Sequence, residues 1–231
     1  MKKTLIILLF PMICSSQVMT DVQVFNNSNG DIFNVKNTQF KSYDGIDGLP
    51  YSDRRFSAVK IDGYNQTAPL VRYNIYEDEM EFKINNALNY IQKVGEMNIT
   101  FVESNKRYVL KNYSLDGKNR NGYLVELLKE NGTFSLYKKE NIQIVEYNNN
   151  TTNSYLKQKN PYFERAKDTI LIFDGETYTK FPKNAKEFNA WLASKPSSAR
   201  YKDSETFIKK NKINFSKESD LIKLVTYINT L

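Results

Sequence analysis

Histidine is absent from the 231 residues and cysteine occurs once, at Cys14. The first absence removes Ser-His-Asp and Cys-His relays, imidazole metal ligands, and any side chain that ordinarily titrates near neutrality. The second goes further, because Cys14 lies in a stretch that reads as a removable leader. Without it the mature chain has no thiol, so disulfides, thiolate zinc sites, iron–sulfur clusters and cysteine nucleophiles go together. Long apolar runs are missing too: Leu5 to Ile13 is too short to cross ~30 Å of hydrocarbon, which takes roughly 20 helical residues. No transmembrane segment is therefore expected in the mature chain. Neither a basic helix nor an aromatic RNP-like strand is present, so nucleic acid is not an expected partner. Carboxylates, Lys, Tyr, Ser and Thr remain as the available chemistry.

What is present begins with Lys2-Lys3-Thr4, the apolar run, and Cys14-Ser15-Ser16. A positive start, a short apolar centre and a small-residue exit describe a signal peptide over residues 1–16, with cleavage after Ser16 and a mature chain from Gln17. Lipidation at Cys14 is the alternative, and Ile13 stands where that process wants a small residue. Hydrophobic residues make up 40% of the chain, enough for a core, and the net charge of +7 is spread along it rather than gathered. The densest basic group, Lys209, Lys210, Lys212 and Lys217, reads as a solvated helix edge.

The rest divides into three regions. Residues 17–53 are rich in Asn, Asp, Ser and Gly and predict turns and short extended pieces. Residues 54–182 alternate with period two between turn signals. Val71, Tyr73 and Ile75 share one face and, after Glu77-Asp78, Met80, Phe82 and Ile84 do the same. Met97, Ile99 and Phe101 alternate, and Arg107 to Leu110 return. Asn131-Gly132 and Asp174-Gly175 predict type I′ hairpins joining 123–129 to 133–139 and 169–173 to 176–181. The polar stretch 148–154 reads as a loop. Residues 183–231 switch to helical period. Asn184 and Glu187 have capping-box spacing, Asn211 is placed to end a helix from Asp203 to Lys210, and Ser216 to cap a last helix with Leu221, Leu224, Val225 and Ile228 on one side. The expectation is an α+β, mainly β fold: an antiparallel β-meander, sandwich or half-barrel, capped by two to three C-terminal helices packed on the sheet.

Gly48-Leu49-Pro50-Tyr51, the run Pro69 to Phe82, and the segments Phe207 to Ile213 and Asp220 to Asn229 together resemble a group of uncharacterised secreted proteins of Bacteroidota. The resemblance touches both ends and the centre of the mature chain and brings no activity with it. It implies a two-membraned bacterium and hence a periplasmic or outer-membrane-associated place, with release to the outside as the alternative. A C-terminal β-rich sorting domain is not apparent, which favours the periplasm.

Four residues of the central segment are the candidate ligand-binding positions: Arg72, Tyr73, Glu79 and Glu81. Alternation puts Glu79 and Glu81 on a solvent face opposite Met80 and Phe82, with Arg72 able to reach one of them across the hairpin as an ion pair. Asp44, Asp47 and Asp53 match no Ca²⁺-loop spacing, and Lys118 and Arg120 occupy the ligand positions of the imitation at Asp116-Gly117, so no metal and no cofactor is expected. The many Tyr and Phe offer stacking faces to a glycan or lipid, but most sit at core positions. The reading is a non-catalytic binding module for an envelope protein, a glycan or a lipid. A carboxylate-based glycan hydrolase and a lipid-binding half-barrel are the alternatives.

Overall fold

In the computed structural model of the chain, residues 33, 42–64, 66–129, 132–147, 159–196 and 202–231 are described. The leader-like residues 1–16, Asn131 and the polar stretch 148–154 lie outside them. The strands are β1 (Val59–Ile61), β2 (Val71–Asn74), β3 (Glu79–Ile84), β4 (Ala87–Tyr90), β5 (Asn98–Phe101), β6 (Lys106–Leu115), β7 (Lys118–Leu128), β8 (Ser135–Val145), β9 (Tyr162–Phe173) and β10 (Tyr178–Lys180). Helices α1 (Ala185–Ala193), α2 (Ser204–Asn211) and α3 (Glu218–Ile228) follow. The fold is α+β and mainly β, as the alternation predicts. An open seven-stranded sheet runs β1-β5-β6-β7-β8-β9-β10, and β2-β3-β4 form a second sheet. All the paired strands are antiparallel. Among the described residues, no helix is long and apolar enough to cross a membrane.

The turn chemistry departs from expectation. Two-residue turns with positive φ at both positions do occur, but at Asn85-Asn86 (48° and 64°) and Asp116-Gly117 (53° and 72°), where Ile84 faces Ala87 and Leu115 faces Lys118. At 174–177 only Gly175 has positive φ. There the Asp174 carboxylate accepts the Thr177 and Glu176 amides at 2.7 and 3.1 Å, which makes a wider side-chain-closed turn. The predicted Asn131-Gly132 turn lies partly outside the described residues; on either side of it the described pairing of β7 with β8 reaches Leu128↔Leu136. Gly132 leaves room for Asn229 of the C-terminal tail. The Asn229 amide then pairs with both the N–H and the C=O of Phe134 at 2.9 and 2.7 Å, in the manner of a neighbouring strand.

One face of the large sheet presents Ile99, Tyr108, Leu110, Tyr123 and Val125 to Val71, Tyr73, Met80 and Phe82 of the small sheet. Further along, Leu136 and Ile172 meet Phe188, Leu192, Ile208, Leu221, Leu224, Val225 and Ile228 of the helices. The opposite face curls so that β10 approaches β6, with the Tyr113 and Tyr178 rings 6.0 Å apart, around Val109, Leu124, Tyr137 and Leu171.

Helix α1 begins as its spacing predicts: Glu187 N–H donates to Asn184 Oδ1 at 3.0 Å, and the Glu187 carboxylate accepts from Asn184 Nδ2 and Lys183 N–H. Asn184→Ala should therefore cost about 1 kcal/mol and lower the melting temperature by roughly 2–4 °C, as read by calorimetry. Two helix boundaries differ from expectation by one residue. Lys212, not Asn211, takes the left-handed conformation (φ 49°), because the Asn211 amide is used to donate to Phe207 C=O. Lys217, not Ser216, is the N-cap of α3, without a side-chain bond, and Ser216 N–H donates to Asn214 Oδ1 at 2.8 Å. The four apolar positions of α3 are buried as predicted.

An ion pair ties helix α1's exit to the β9–β10 turn, with Lys195 Nζ 2.5 Å from Asp174 Oδ2. Burial opposes the Asp174 charge, but Lys195 and the two turn amides outweigh it and pull the carboxyl to about 2. A folded pKa below the unfolded value stabilises the fold above about pH 4, and that contribution drains away as pH falls toward 2. Lys195→Met should flatten the stability-versus-pH curve between those limits in acid-titrated urea melts.

Candidate functional site

The pairing of β2 with β3 places Arg72 directly opposite Glu81. Arg72 Nε donates to Glu81 Oε2 at 2.7 Å, so the expected cross-strand ion pair forms. Its setting corrects the sequence reading: Glu81 does not lie on a solvent face but is 1% exposed, while Glu79 is only partly buried. The reason is a cover that period-two alternation does not reveal. The segment from Ser42 to Ser57 lies along the outer side of the hairpin, bridging Tyr51 to Asn74 and Ser57 to Val71, and parallel Asp47 to Tyr162. Gly48, at φ 84°, passes within van der Waals reach of Phe163, where a side chain would crowd the backbone. Tyr51 and Phe56 from this cover sandwich the Arg72 guanidinium, 3.6 and 4.4 Å from their ring centres. Asn74 Nδ2 donates to both Glu81 Oε1 and the Tyr43 hydroxyl, and burial pushes Tyr43 up to about 12.

Tyr73 points the other way, into the interface of the sheets, where its ring lies 4.7 Å from that of Tyr108. Its hydroxyl donates to Asp78 Oδ1 at 2.5 Å. Asp78 sits at the hairpin tip with φ 58° and occupies a fork in the large sheet. Pairing of β7 with β8 stops at Val125↔Lys138, whereas β8 continues with β9 as far as Val145↔Tyr162. The same carboxylate oxygen therefore also accepts the Tyr123 N–H at 3.1 Å and Lys139 Nζ at 3.3 Å. Desolvation lowers the pKa of Lys139, partly offset by Asp78, and desolvation together with Asp78 raises that of Tyr73. Glu79 joins this cluster through Lys93, which lies 3.2 Å from Glu79 and 3.7 Å from Asp78, with burial raising the Glu79 pKa against the pull of that lysine.

Arg72 and Tyr73 meet again in a cleft of about 440 Å³ at the edge between the two sheets. Phe101, Tyr73 and Tyr108 give it an aromatic side, and Ser52, Ser57 and Ser104 line it with hydroxyls. Lys106, which the sequence offers only as a turn residue, lies at the bottom, bonded to Ser52 Oγ at 3.0 Å and to Glu140 Oε1 at 2.7 Å. Glu140 is 5% exposed and also accepts from Tyr108 and Arg165. Burial opposes its charge, and Lys106, Tyr108 and Arg165 outweigh that to leave its pKa lowered. At the rim Arg55 bridges Asp53 and Glu103 at 3.1 and 3.5 Å, all three mostly solvated. Glu81 and Glu79 do not line the cleft; Glu81 backs it by holding Arg72. No local signal marks Lys106, Tyr108, Ser52 and Glu140, because their partners lie 32 to 56 residues away.

A second groove, about 480 Å³, runs along Tyr113, Phe173 and Tyr178 on the curled face, flanked by Asn112, Asn121 and Glu176. Among the described residues no three His, Cys, Asp or Glu side chains gather in a way that would hold a metal ion. No family model matches the chain, and neither a curated protein nor a solved structure is significantly similar to it.

Proposed function

We propose that the chain is a non-catalytic, exported envelope protein, a binding module that takes a small polar ligand, or the polar end of a larger one, in the cleft between its two sheets. The observation that carries this reading is the cleft itself: an aromatic wall, three serine hydroxyls, and two cations fixed at the bottom by buried carboxylates. Its volume falls in the ~300–1,000 Å³ range of small-ligand sites, and fixed polar groups on an apolar wall are the usual composition of such sites. Export rests on the residue pattern 1–16, and a periplasmic or outer-membrane-associated place on the resemblance to secreted Bacteroidota proteins.

Two alternatives carry less support. A glycan hydrolase needs a carboxyl group held protonated beside a second one. The paired carboxylates of this cleft, Asp53 and Glu103, share one guanidinium, and Arg55 holds Asp53 below its ordinary range, the wrong direction for an acid. A half-barrel lipid carrier needs a deep apolar groove, whereas the groove on the curled face is flanked by the polar Asn112, Asn121 and Glu176 and floored by the packed Val109, Leu124, Tyr137 and Leu171. Hydrogen exchange on protein purified from its own envelope, compared with the same protein unfolded and refolded, tests the reading. The expected result is added protection at 52–57 and 101–108 in the native sample; identical protection in both samples counts against it.

A further inference from the structure

Arg72 is 14% exposed, yet among the described residues it uses only part of its capacity. Nε–H goes to Glu81 and one Nη2–H to the Tyr51 hydroxyl at 2.6 Å. A guanidinium carries five N–H donors, so about three remain, on the Nη1 and Nη2 side, toward the cleft that the residue lines. Lys106 Nζ has three donors, of which Ser52 and Glu140 take two. These spare donors are open to solvent rather than buried, so a ligand can reach them, and a fork edge of two N–H groups fits a carboxylate in a bidentate pair. Stacking between Tyr51 and Phe56 holds the plane of this fork still before any ligand arrives.

Resting on the binding-module reading, we infer that the cleft selects a carboxylate-bearing ligand, its head on Arg72 and Lys106 and its ring or aliphatic body against Phe101 and Tyr108. Glu81 and Glu140 balance the two cations from behind without blocking their cleft side. The rim carboxylates Asp53 and Glu103 are more than half exposed and held by Arg55, so water and that guanidinium screen them from the incoming anion. A guanidinium fork pairs bidentately with carboxylate and with phosphate, so both belong in the test. A free organic acid and an acidic sugar at a glycan end carry this same head group.

The test is amide chemical-shift titration of the full mature chain with matched probes: phenylacetate against phenylacetamide, glucuronate against glucose, and inorganic phosphate. The expected result is that the carboxylate of at least one pair shifts amides in 52–57 and 101–108 about tenfold more tightly than its neutral partner, the scale of one charge-assisted bond. The tighter of phenylacetate and glucuronate distinguishes the organic-acid source from the sugar source. Arg72→Lys, which keeps the charge opposite Glu81 but loses the fork, should weaken the preferred acid about tenfold, and Lys106→Met should weaken it independently. Neutral partners or phosphate binding as well as the acids would overturn the carboxylate assignment and leave the cleft as a binding site. Shifts confined to the groove at Tyr113 and Tyr178, or none at about 20 mM, beyond the usual fragment range, would overturn the assignment and the cleft together.

Discussion

Replacing Glu81 by Ala should lower the free energy of unfolding by about 3–5 kcal/mol, because it leaves the largely buried Arg72 charge without its carboxylate. For a chain of this size the melting temperature should fall by roughly 6–20 °C. The argument turns on burial: an exposed cross-strand pair is worth about 0.2–1 kcal/mol, but Glu81 is 1% and Arg72 14% exposed. Asn74 loses its acceptor in the same substitution. Removing both charges together, as Arg72→Met with Glu81→Met, should recover most of the loss, since apolar residues of similar volume can replace a buried pair. Urea titration of the two variants and the wild type measures both effects. An Ala variant within about 1 kcal/mol of wild type would mean that the 42–57 segment does not cover the hairpin in solution.

The second large effect is expected at Asp78. Asp78→Asn keeps the shape and tolerates the positive φ, but removes the charge that answers Lys139. The expected cost is about 3 kcal/mol, at the lower end for a broken buried pair because Asp78 keeps 21% of its side-chain surface. Gly122→Ala should destabilise through the same group, since a Cβ there overlaps the Asp78 carboxylate. A local readout separates this from general weakening. The Tyr123 amide donates to Asp78 rather than to a neighbouring strand, so its hydrogen exchange should accelerate in Asp78→Asn ahead of the amides that β6 holds. Pairing the substitution with Lys139→Met should restore part of the stability. Equal stability of Asp78→Asn and wild type would contradict the placement of the hairpin tip in the fork.

These two carboxylates also show where the sequence is legible and where it is not. The β2–β3 hairpin, an Arg72 able to reach Glu79 or Glu81 across it, the return of β6 on β5 and the apolar side of α3 all follow from periodicity, because neighbours i+2 or i+3 and i+4 report on local geometry. Alternation also assigns Glu81 to water, and that step fails. It assumes one solvated face, while a turn-rich stretch without periodicity of its own supplies a second cover. The turn type at Asp174-Gly175 fails for a related reason. Asp-Gly permits a two-residue turn, but the Asp174 carboxylate accepts the Thr177 amide and stabilises a wider closure. Arg72 and Tyr73 are legible as a pair on opposite faces of one strand. Lys106, Ser52 and Glu140 are not, since Lys106 and Glu140 meet across β6 and β8 of the large sheet and Ser52 reaches Lys106 from the covering segment.

The most direct test of the cleft as the working part of the molecule uses Ser57→Trp. The Ser57 backbone pairs with Val71 in both directions at 2.8 and 2.9 Å, so the strand bridge survives while an indole fills the cleft. Native mass spectrometry of wild type and variant, each isolated from its envelope fraction and then denatured, should show a near-stoichiometric small molecule released from the wild type and none from the variant. A bare wild-type chain, or the same mass retained by Ser57→Trp, would contradict the account.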